Sequence, residues 1–139
     1  MMWFVLLVAS VVQLAPSSVP DGVALPALAH EITRWPVDRI ACVDVRGHPS
    51  PKQFIARIDA PGHTIVALGE CTWATDGVTS GASRAFNVLL TNFTRISNQS
   101  VQITVSWYES MSESGEETLV LMREKGAWRV TGSLGRSVR

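Results

Sequence analysis

Two cysteines, three histidines and a few isolated carboxylates are the residues of this chain with chemistry to offer. Cys42 and Cys71 are the only thiols, and an even count in an oxidising compartment reads as one disulfide. The competing readings are two buried thiols in a reducing compartment and a Cys71 nucleophile activated by His63. The bridge consumes the thiol that the nucleophile needs. His30, His48 and His63 show neither the i, i+4 helical spacing nor the paired Cys-x-x-Cys clusters of local metal sites, so no metal is expected. Gly77-Val78-Thr79-Ser80-Gly81 puts its serine at the wrong offset for a nucleophile elbow. Asp38 and Asp44 have ready partners in Arg39 and Arg46, and nothing in their spacing demands an acid/base pair. No catalytic residue and no cofactor are assigned.

Two weaker constellations remain. Arg46, His48, Ser50 and Lys52 cluster at the start of an expected helix, where exposed amides and the helix dipole favour an anion. Near the other end, residues 109–117 hold Glu109, Glu113, Glu116 and Glu117 without a basic neighbour. Residues 123–139 hold Arg123, Lys125, Arg129, Arg136 and Arg139 against Glu124 alone. Such patches either pair across a hairpin or form a partner-docking face around Glu113, Glu116, Arg123 and Arg129. Asn92 and Asn98 open N-x-S/T glycosylation patterns, which matter only in a eukaryotic secretory pathway.

The elements that position these residues follow from spacing. Leu25, Leu28, Ile32 and Trp35 predict a helix over 24–35, stopped by Pro36. Residues 39–45 are β-branched and predict a strand. Ser50, Pro51 and Gln53 then form a capping box that opens a second helix, ended by Pro61-Gly62. Residues 63–68 predict another strand, so that strand, helix and strand make a crossover unit or an antiparallel return. Residues 72–84 read as a loop. Four strands follow: Phe86 to about Arg95; Val101 to Tyr108, with clean alternation; a strand around Leu119 and Leu121; and one around Trp128 and Val130 behind the Lys125-Gly126 turn. The fold class is α+β, with one or two N-terminal helices on a curved, mainly antiparallel sheet that closes in a four-stranded meander. Its expected core includes Phe54, Ile58, Val88, Leu90, Ile103, Val105, Leu121 and Trp128.

The run Glu117-Thr118-Leu119-Val120-Leu121-Met122-Arg123-Glu124-Lys125-Gly126-Ala127-Trp128-Arg129-Val130 resembles the final hairpin of NTF2-like and cystatin-like exported domains. Pro49-Ser50-Pro51 and Cys71 are similar to stretches in small bacterial exported proteins with the same ending. The resemblance implies an α+β fold whose members range from enzymes to binding modules, and it carries over no catalytic residue.

Residues 1–20 contain no charged side chain, and the apolar run within them predicts a signal peptide over 1–17, or an anchor if it is not cleaved. Residues 18–139 then form one domain, expected outside the cytoplasm in the periplasm or extracellular space. Twelve basic and twelve acidic side chains give a net charge of zero, which argues against a nucleic-acid partner. The functional expectation is an exported, non-catalytic binding or accessory domain for a small molecule or protein partner, free of the membrane after cleavage. A small enzyme using the concave face of the sheet is the alternative, and a homodimer through an exposed sheet face is a third reading.

Overall fold

A computed structural model describes residues 19–139 of the chain. The expected signal peptide over 1–17 lies outside them. Among these residues, two α-helices and eight strands form an α+β domain on one mostly antiparallel sheet.

The first helix, α1, covers Asp21–Ile32. It starts where the Pro20 carbonyl accepts the Val23 and Ala24 amides, and Asp21 lies favourably at the positive end of the helix dipole. Val23, Ala24, Ala27, Leu28, Glu31 and Ile32 are buried in one helical stripe. The helix ends three residues before the expected boundary. Trp35 continues the apolar spacing beyond it because its ring stacks on Phe86 at 4.0 Å.

Strand β1 (Ile40–Val43), helix α2 (Pro51–Ala56) and strand β2 (Ile65–Ala67) make the crossover unit, with β1 and β2 parallel. Pro51 does open α2, whereas the Ser50 side chain makes no capping hydrogen bond. A single 3-10 turn, Leu68–Glu70, leads to Cys71.

The stretch expected to be a loop forms a hairpin, β3 (Thr72–Ala74) with β4 (Gly77–Ser80). Strands this short, one of them wholly exposed, carry too few apolar residues to show alternation. Thr75 and Asp76 make the turn, and Gly77, paired with Ala74 as the first residue of β4, takes a φ of 142°. Strands β5 (Ser83–Arg95), β6 (Ser100–Ser110), β7 (Glu113–Glu124) and β8 (Ala127–Val138) follow in antiparallel succession. Lys125 and Gly126 both adopt positive φ, as a tight two-residue turn requires.

Alternation gives the sheet two unlike faces. One carries Phe86, Val88, Val101, Ile103, Val105, Leu119 and Leu121, all buried under α1 and α2 together with Phe54 and Ile58. Leu90 and Trp128 pack half-buried at the margin of this core. On the opposite face a small cluster of Cys42, Val78 and Ala85 lies beside Cys71. Cys42 and Cys71 are joined by a disulfide, with their Cα atoms 6.5 Å apart. Among the described residues no helix is long and apolar enough to cross a membrane.

Candidate functional site

The carboxyl end of α1 meets β7 and β8 through a network of charged groups. Glu31 is 1% exposed, and its Oε2 accepts the Trp35 indole N–H at 2.7 Å. Its Oε1 lies 3.5 Å from Nη1 of Arg136, which also donates to Oε1 of Glu117 at 3.2 Å. Glu117 takes a second and shorter bond, 2.7 Å, from Nη1 of Arg34. His30 Nε2 stands 3.8 Å from the same oxygen. The Arg136 guanidinium also lies over the Trp107 ring, 4.1 Å from its centroid.

These surroundings push the two carboxyls apart. Burial raises the pKa of Glu31, and its bonds to Trp35 and Arg136 reverse this only in part. Burial also pushes Glu117 upward, but the Ser133 hydrogen bond and the charges of Arg34 and Arg136 outweigh it, leaving the group below the ordinary value. Burial lowers His30, aided by Arg34, so its imidazole is neutral at neutral pH. Neighbouring carboxyls whose pKa values are pushed apart are an arrangement that acid/base catalysis uses. Here both oxygens of Glu31 face donors and Oε1 of Glu117 faces two guanidinium groups. The network thus fastens α1 to the sheet.

Beside the network, the flank of α1 and the start of β8 enclose a groove of about 400 Å³. Leu25, Pro26 and Ala29 form one wall, and Trp128 and Val130 the other. His30 stands at one side, and Arg57 and Asp59, from the segment after α2, complete the lining. Arg57 reaches Asp21 at 3.3 Å, whereas Asp59 has no ion-pair partner among the described residues. Apolar walls with a few fixed polar groups, at this size, are the usual makeup of a small-molecule site.

The residues singled out in the sequence are dispersed. Arg46 is turned onto Asp44, with Nη2 2.7 Å from Oδ2. Burial pushes Asp44 up, but the side-chain and backbone bonds from Arg46 hold its carboxyl below the ordinary value. The His48 ring stacks on Phe54 at 4.1 Å, while Ser50 and Lys52 sit at the start of the six-residue α2. The four residues therefore do not converge on one point. Glu113, Glu116, Arg123 and Arg129 are all exposed; Arg129 pairs with Glu124, and Arg123 lies over Trp128. Glu109 and Glu117 leave the expected unpaired acidic patch: both are buried, Glu109 against Arg39 and Arg84, Glu117 against Arg34 and Arg136. His63 does not approach Cys71; its Nε2 lies 2.8 Å from the Trp35 carbonyl oxygen. Asn87 is wholly buried, and its side-chain amide has no hydrogen-bond partner among the described residues.

Sequence reasoning missed Glu31, Arg34, Arg57 and Asp59. The one available signal was Glu31 itself, a carboxylate within the buried stripe of an amphipathic helix, which calls for a partner from another element. No protein-family model, characterised protein or solved structure matches this chain.

Proposed function

We propose that the protein is an exported, non-catalytic binding domain of the NTF2-like kind, with its ligand in the groove between α1 and β8. The observation that carries this reading is the groove itself, open to solvent, apolar-walled and edged by His30, Arg57 and Asp59. In this reading the sheet curves around α1, and the helix fills most of the concave face. The ligand takes the strip left beside it. Trp128 supplies a flat apolar surface, and the polar groups orient whatever lies against it. The Cys42–Cys71 disulfide is compatible with an oxidising compartment and so supports export.

A small enzyme is the second reading, favoured by the opposite pKa shifts of the neighbouring Glu31 and Glu117. It is the weaker one because Glu31 spends both oxygens on groups of the fold.

Titration with 8-anilinonaphthalene-1-sulfonate, an aromatic anion suited to Trp128 and Arg57, tests the groove. The native protein is expected to enhance the dye's fluorescence, and Trp128→Ala to weaken its affinity about tenfold. Equal binding by the two proteins would overturn the assignment. Cell fractionation with sequencing of the amino end tests export; a full-length cytosolic product would exclude it.

A further inference from the structure

The face of the sheet turned away from α1 carries a second hollow, of about 250 Å³, on β6, β7 and β8. Ser106, Ser114, Glu116, Ser137 and Arg139 line it together with Trp107 and Gly115, and no residue of a described helix is among them. Strand pairing explains the grouping. Ser106 lies opposite Glu116, and Glu116 opposite Ser137, so the three stand in one row across the strands. The backbone amide of Arg139 donates to the Ser114 carbonyl at 2.8 Å, which places Arg139 in the lining of the hollow. The hollow thus offers three hydroxyls, a carboxylate and a guanidinium within one small space.

Its neighbour is aromatic. Tyr108 lies directly opposite Ser114 in the β6–β7 pairing, and the Trp73 ring from β3 stacks on it at 5.4 Å with the planes 12° apart. Trp73 nevertheless remains 55% exposed, so part of its ring stays open to solvent. The β3–β4 hairpin therefore sets an open aromatic platform beside a polar hollow, on the face opposite the α1 groove.

We propose that this surface binds a neutral oligosaccharide. A pyranose has an apolar C–H face, which an exposed indole accepts, and a ring of hydroxyls that both donate and accept. Glu116 accepts from such hydroxyls and Arg139 donates to them, each forming the stronger hydrogen bonds of a charged group. The serines serve in either sense. One charge of each sign selects against a strongly charged ligand, since each ion would leave one of the pair opposed. Trp73 stacks on Tyr108, and Tyr108 pairs with Ser114 of the hollow, so platform and hollow are neighbours that one chain of sugars can span.

The full chain, purified from the compartment where it accumulates, is to be tested on an array of neutral glycans. Hits are then titrated by calorimetry. Binding of at least one glycan is expected, weakened about five- to tenfold by Trp73→Ala and also reduced by Glu116→Gln. Trp128→Ala, in the groove on the opposite face, is expected to leave glycan affinity unchanged. Trp73 and Glu116 are both exposed, so these variants are expected to fold, and circular dichroism spectra matching the native protein check it. No glycan bound on the array would overturn the proposal. So would glycan affinity insensitive to Trp73→Ala, or lost in Trp128→Ala.

Discussion

Glu31 and Glu117 approach the same guanidinium, yet their pKa values are shifted in opposite senses: burial outweighs the donors around Glu31, whereas the Ser133 bond and the charges of Arg34 and Arg136 outweigh it at Glu117. Stability should carry the trace of this. His30 and Glu117 titrate below their unfolded values. Their contributions are complete above those values and are lost as the pH falls through the folded ones. Asp44, held down by Arg46, behaves in the same way. Glu31 has the opposite sign: its pKa is raised, so its contribution is present at low pH and fades as the pH rises through the folded value. Three groups against one predict a net loss in acid. It begins as the pH drops below 6.5, the ordinary value for His30, and steepens in the carboxylate range. Urea midpoints from about pH 8 to about pH 3 measure it, and His30→Asn should remove the earliest part of the decline. A midpoint that rose on acidification would show Glu31 to dominate.

Elements were legible in the sequence where a long apolar period or a turn pair fixed them, as in α1, the Pro51 helix start and the alternation of β6. The β3–β4 hairpin was not, because its strands are short and mostly exposed, and their order comes from pairing with β5. The charged network was hidden for a different reason. Arg34 lies 83 residues from Glu117, and Arg39 meets Glu109 across the sheet, so local spacing showed acids without bases. Pairing also makes particular side-chain sizes obligatory. Gly115 faces Trp107 across β6 and β7, and a Cβ there would stand 2.4 Å from the Ser137 carbonyl oxygen and 2.6 Å from the indole. Backbone and a buried ring cannot both yield. Gly115→Ala is therefore expected to destabilise the domain by about 1–3 kcal/mol, read from a chemical denaturation curve together with a shift in tryptophan emission. Unchanged stability would mean that β7 and β8 part easily at this point.

Across the whole molecule, two long-range ties hold the ends of the sheet. The disulfide fixes the chain after β2 to β1 and closes a span of 29 residues in sequence. Its reduction is expected to lower unfolding stability by about 3–4 kcal/mol on the chain-entropy account. Denaturation with and without a thiol reductant measures the loss, and coincident curves would assign it no such role. The other tie is the contact of Arg136 with Glu31, made across 105 residues. On a ribosome the chain emerges from the amino end, so α1 is synthesised long before the strand that anchors it. The apolar floor of β6 and β7 arrives first, and the Arg136 contact only with β8, the last of the strands to be made. The docking of α1 is therefore completed only when nearly all of the domain has been made.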